Sequence, residues 1–210
     1  MPGSAADKRG LYSVHPAVRY AQAVAEKMAA RTGRSLEAWA DFIRTDGPKN
    51  DSERRVWLAE EHDLRGTRLL MVIDYAAGRR QTIEPDAYLA AAPGFVESLY
   101  SGEKEPLRPI HDRIVKMAKG LGHDIDVCPR TMMVPIYRKR LIAEIRPSSH
   151  RRVDLGLALR DAAGRVSRRL SETGGVFVGS RITHCFELHA LREVDDEVED
   201  WLDVAYRIDV

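Results

Sequence analysis

The sequence predicts an α+β protein: a four-helix N-terminal module followed by an antiparallel sheet flanked by helices. Two observations lead there. Apolar residues recur at helical spacing from Pro16 to about Ala77, whereas from Ile125 the period changes to two. Helical segments precede that sheet region and another follows it, as in an antiparallel sheet with helices gathered before and after. With 210 residues, 44% of them apolar, the chain can bury the core of one large domain or two small ones.

"HPAVRYAQAVAEKMAARTG" opens the helical part, with Pro16 at a helix start, Val18, Ala21 or Gln22, Ala25 and Met28 or Ala29 on one stripe, and Gly33 past the end. "SLEAWADFIRTDG" follows, capped by Ser35 and carrying Leu36, Trp39, Phe42 and Ile43 at helical intervals. "DSERRVWLAEEHDL" has Asp51 or Ser52 as its cap, and "RGTRLLMVIDYAAG" makes a fourth helix ending at Gly78. Closely linked short helices also suit a helix-turn-helix, but none presents a basic, Asn- and Gln-rich face, so antiparallel packing is the simpler reading. Further on, "PDAYLAAAPGFVESLYSG" and "EPLRPIHDRIVKMAKGLG" are helical, the second with Ile110, Ile114 and Met117 or Ala118 inward.

Four stretches then alternate as strands: "TMMVPIY", "LIAEIR", "RVDLGLAL" and "ITHCFELHAL". Val153, Leu155, Leu157 and Leu159 share one face, opposite Asp154, Gly156, Ala158 and Arg160. Pro135 places the first strand at an edge or a bulge. Residues 160 to 181 are long for a strand connection and are expected as an insertion or mobile loop. "EVDDEVEDWLDVAYRI" closes the chain as a helix with Val194, Val198, Trp201, Leu202, Ala205 and Ile208 inward. The expected domains are a disordered leader at 1–14, a helical domain at 15–78, a linker at 79–86 and an α+β domain at 87–210.

Composition excludes several classes. The opening residues have the basic pair Lys8 and Arg9 but no apolar run behind it, and no stretch reaches the ~20 apolar residues of a membrane span. Two cysteines, Cys128 and Cys185, without a CxxC spacing, fit a reducing, cytoplasmic setting. Net charge is +1, so a charge argument must be local. Residues 130–169 hold eleven Lys or Arg against three acids, 11 − 3 = +8; residues 193–210 hold eight acids against one Arg, 1 − 8 = −7.

That polarity has two readings: a basic platform for phosphates, or a sheet neutralised by an acidic terminal helix lying beside it. The anion-binding candidates are Arg138, Lys139, Arg140, Arg146, Arg151 and Arg152, since Arg offers bidentate recognition of phosphate. Tyr137, Glu144 and Asp154 are candidates on the open face of the sheet. An Asp and Glu on adjacent strands can hold Mg²⁺ in nucleases, yet the Glu-x-Lys strand expected after the Asp is missing, and cross-strand ion pairing explains the same residues. "THCFELH" offers His184, Cys185 and His189, but positions 185 and 189 of a strand lie roughly 13 Å apart, too far to ligate one ion. No metal or cofactor is therefore expected, and no P-loop, dinucleotide fingerprint, GxSxG or HExxH occurs.

Longer stretches carry a resemblance. "HPAVRYAQAVAEKMAARTGRSLEAWADFIRTDGPKNDSERRVWLAEEHDLRGTRLLMVI" resembles domain of unknown function 4287, a bacterial helical family. From about Ala87 the chain resembles domain of unknown function 5655, through "YSGEKEPLRPIHDRI", "RKRLIAEIRPSSHRRVDLGLAL" and "WLDVAYRI". Neither resemblance implies an activity. The second implies association with restriction and defence proteins, hence a nucleic-acid context. The resulting expectation is a non-enzymatic cytoplasmic binding or adaptor module with an anionic partner such as nucleic acid. The alternatives are an enzyme or small-ligand binder using a cleft between the helical and sheet domains, with Glu144, Arg146 and Asp154 near its mouth, and a structural module that pairs through an apolar edge strand as a dimer.

Overall fold

The computed structural model describes residues 10–159, 167–173 and 180–209. The chain divides into two compact units, Val14–Ala91 and Met1–Ser13 with Ala92–Val210. Among the described residues there are eight α-helices and six strands, the α+β class the periodicities predict.

In the first unit, α1 (Pro16–Glu26) and α2 (Met28–Thr32) replace the single opening helix, because Lys27 leaves helical geometry at φ −97° and ψ 1°. Gly33 closes α2 at φ +77°, a conformation a side chain resists. Ser35 caps α3 (Leu36–Asp46) by accepting the Ala38 N–H. The cap of α4 (Asp51–Glu60) is Asn50, not Asp51 or Ser52: its Oδ1 accepts the Glu53 N–H at 2.8 Å. With α5 (Gly66–Ala76), these helices enclose Met28, Trp39, Ile43, Leu58 and Val72.

The segment expected as a linker, 79–86, is packed instead. Arg79 pairs with Asp74 and Asp51, Arg80–Thr82 make a 3₁₀ turn, and Ile83 joins the same core. One apolar residue in a polar run is enough to dock it. The division between the units falls inside α6 (Pro85–Leu99).

In the second unit a 3₁₀ segment, Gly102–Leu107, leads into α7 (Arg108–Leu121), whose buried stripe is Ile110, Ile114, Val115 and Ala118. The strands are β1 (Asp126–Val127), β2 (Val134–Tyr137), β3 (Leu141–Ser149), β4 (Arg152–Leu157), β5 (Leu170–Glu172) and β6 (His184–Leu188). They form one antiparallel sheet in the order β1-β2-β3-β4-β6-β5. Pro135 is therefore not on an edge: β1 lines its other side, and the register slips one residue further on, between Ile136 and Tyr137. β5 lies within the stretch expected as a bare connection; the rest of that expectation, at 160–166 and 174–179, lies outside the described residues. The outer strands here are short, and β5 ends in exposed Ser171 and Glu172.

Register separates two faces. Ala143 pairs with Leu157, Ile145 with Leu155, Leu155 with Phe186 and Val153 with Leu188, and all of these are fully buried. α8 (Asp196–Arg207) crosses β3 and β4 and supplies the covering layer through Val198, Trp201, Leu202 and Ala205, with α7 against it. Each such side chain contributes roughly 1.5–3 kcal/mol on burial. Of the expected leader at 1–14, residues 1–9 lie outside the described residues. Its end is held: Tyr12 is buried and Ser13 donates its N–H to the Val127 carbonyl.

Candidate functional site

The second face of the sheet carries the charges. Glu144 sits opposite Gly156, Arg146 opposite Asp154, and Asp154 opposite Glu187. Tyr137 belongs to the same neighbourhood; burial chiefly, with Cys128 and Glu144 adding to it, pushes its phenol above the usual range. This face is not open at its acids. Glu144 is 5% exposed and Asp154 4%, because arginines lie over both. Arg146 donates to Glu144 Oε1 at 2.6 Å through Nη2 and at 3.1 Å through Nε. Arg152 begins β4 and is not confined to the turn; it holds Glu187 at 2.8 Å, donates to Asp154 Oδ2 at 3.3 Å through Nη2, and brings Nε to 2.8 Å from Asp154 Oδ1 without hydrogen-bond alignment. A buried acid is tolerable only when paired in this way.

The basic candidates thus separate. Arg138 donates to Asp124 at 2.7 Å and to the Tyr206 carbonyl, and lies over the Tyr206 ring. Its guanidinium and the Tyr206 hydroxyl hold the Asp124 carboxyl below the usual range. Arg140 is bound to Asp209, which also accepts the N–H groups of Lys139 and Arg140. Burial opposes ionisation of Asp209, yet those donors outweigh it and keep its carboxyl below the usual range. Only Lys139 and Arg151 among the six have exposed side chains with no carboxylate partner among the described residues. The terminal helix covers the apolar face, not the charged one. Compensation comes from both sources: sheet acids serve Arg146 and Arg152, while Asp124 serves Arg138 and the acidic C-terminal stretch serves Arg140 through Asp209 and Arg169 through Asp195 and Glu197.

At one end of the charged face lies a groove of about 660 Å³, lined by Ser98, Leu99, Ser101, Glu103, Lys104, Thr131, Met132, Arg146, Pro147, Ser148 and His150. That size suits a small molecule. Lys104 is brought there by the 3₁₀ segment and donates to the Pro147 carbonyl at 2.7 Å, a neutral acceptor that leaves the ammonium charge uncancelled. Ser148 donates to Asp154 Oδ2 at 2.5 Å, which joins the groove to the buried carboxylate. Of the predicted residues, the groove takes Arg146 directly and Asp154 through Ser148. Lys104, Ser101 and Thr131 were not legible as site residues: Lys104 meets Pro147 across 43 positions, and no motif links them.

Among the described residues no group of three His, Cys, Asp or Glu side chains is placed to hold a metal ion, and no helix is long and apolar enough to cross a membrane. Near the start of α7, Tyr100 and His111 are buried with ring centres 5.1 Å apart, and neither Tyr100 Oη nor His111 Nδ1 has a partner. Burial lowers the His111 pKa to about 4 and raises that of Tyr100.

The architecture is thus an α+β unit, a helix-covered antiparallel sheet whose other face leads to a polar groove. The chain belongs to the family described as Domain of unknown function (DUF5655), whose profile matches residues 96–209 and so includes the whole sheet, the groove and α8. No curated protein and no solved structure matches the chain.

Proposed function

We propose that this protein is a non-enzymatic binding module and that its anionic partner is a small molecule held in the groove at Lys104 and Arg146. The observation that carries the reading is charge placement. Arg138, Arg140, Arg146 and Arg152 already have carboxylates of their own chain, which leaves little of an extended phosphate-tracking platform, whereas Lys104 brings to a concave site, lined also by Glu103, an ammonium in no ion pair among the described residues. Counterion release on nucleic acid scales with the cations available to replace them, and two exposed side chains supply little of it. A bacterial, cytoplasmic setting and an N-terminal unit of the 4287 type belong to the same reading; only two cysteines, both buried and without a CxxC spacing, suit a reducing compartment.

Calorimetric titration with inorganic phosphate and with acetate at low ionic strength tests it. Saturable binding should appear with at least one anion and fall about tenfold in Lys104→Met. Equal binding by Lys104→Met would remove the groove as the site. If instead a short DNA duplex binds, and Lys139→Ala with Arg151→Ala abolishes that binding, the nucleic-acid reading replaces this one.

A further inference from the structure

The directions of the hydrogen bonds around the groove say more about the ligand than its charge does. A serine hydroxyl has one proton and two lone pairs. Ser101 Oγ spends its proton on the Ser98 carbonyl at 2.9 Å. Ser148 Oγ gives its proton to Asp154 Oδ2 at 2.5 Å, the Arg146 carbonyl lying farther off at 3.5 Å. Both serines are exposed at the groove, so each presents lone pairs to whatever enters it. The ammonium of Lys104 commits one proton to the Pro147 carbonyl and has others to give. The site therefore combines a cationic donor with two hydroxyl acceptors, and the exposed Glu103 carboxylate at the lining adds a further acceptor for ligand hydroxyls. A bare anion satisfies the first and leaves the acceptors unmatched.

We infer that the groove takes a polyhydroxylated small anion, a sugar phosphate or sugar acid, whose charged head meets Lys104 and whose hydroxyls donate to Ser101 and Ser148. This rests on the small-anion reading above. Met132, 66% exposed, and Leu99 at the lining offer apolar surface for the carbon face of such a molecule. Arg146 remains on Glu144 and orients that wall of the groove without being required to change partners. Binding involves no covalent step.

Calorimetric titration of the full chain compares glucose 6-phosphate with inorganic phosphate, and gluconate with acetate. At least one hydroxylated anion should bind about tenfold more tightly than its bare head. Ser101→Ala and Ser148→Ala should each erase several-fold of that preference while leaving the bare anion unchanged, and Lys104→Met should weaken both. Circular dichroism verifies that the variants fold; Ser101→Ala touches only the Ser98 carbonyl and keeps the test valid if Ser148→Ala perturbs Asp154. Which of the two sugar compounds gains identifies the head group. Binding of phosphate or acetate without any gain for its hydroxylated counterpart overturns the inference and leaves the anion site standing. No binding by any of the four overturns both.

Discussion

His111 is the residue whose chemistry depends most on where the fold puts it. It is 1% exposed, and burial lowers its pKa to about 4 against an ordinary value of 6.5. A neutral buried imidazole binds fewer protons than the same residue in the unfolded chain, so its contribution is complete above pH 6.5 and is lost as pH falls toward 4. Urea unfolding should show about 2 kcal/mol less stability at pH 5 than at pH 6.5 from this residue, and His111→Gln should flatten that part of the pH dependence. A slope unchanged in the variant would place the acid sensitivity elsewhere. Asp209 acts in the same sense at lower pH: its folded pKa lies below the usual value, so its contribution is present above the unfolded value and fades as pH falls through the folded one. Asp209→Asn at neutral pH should cost about 1–3 kcal/mol in chemical denaturation, since Arg140 and the turn lose a charged acceptor.

At the level of elements, caps and strand register separate what is local from what is not. Asn50, one residue ahead of the expected caps, holds the start of α4. Asn50→Ala should destabilise by about 1 kcal/mol and Ser52→Ala by much less, measured as shifts in the thermal midpoint. Ser35 and Gly33 were legible because capping uses neighbours three or four residues away. The break at Lys27 was not, for nothing in "VAEKMAA" opposes a helix by propensity. In the sheet the apolar row Val153, Leu155, Leu157 was plain from alternation, and Leu155→Ala should cost about 2–5 kcal/mol, the range for truncating a fully buried leucine. Glu187→Gln, at a 56% exposed side chain, should change stability by no more than about 0.5 kcal/mol in the same assay. Two strands escaped the reading: β1 has two residues and β5 three, too few for a period to show.

For the whole molecule, net charge +1 hides an arrangement in which Arg138, Arg140, Arg146, Arg152 and Arg169 of the sheet region are paired with acids of the same chain. Any residual DNA affinity should have a shallow salt dependence, a log–log slope of about −2 or flatter if Lys139 and Arg151 alone contribute, checked by titrating a duplex at several ionic strengths. A slope many times steeper would mean the internal pairs exchange for phosphates. The α+β class, the order of helices and sheet, and the inward rows of β3, β4 and α8 were all determined by sequence alone, because burial on one face imposes a period that a reader can count. Glu144, Arg146 and Asp154 were also legible as one face. Whether they were open was not: that depended on Arg146 and Arg152 folding over the two acids, a matter of side-chain direction that no spacing encodes. The same holds for the groove. Ser101 and Lys104 reach Arg146, Pro147 and Ser148 only because a 3₁₀ segment docks at the end of β3, and a contact made across some forty residues is decided by packing alone.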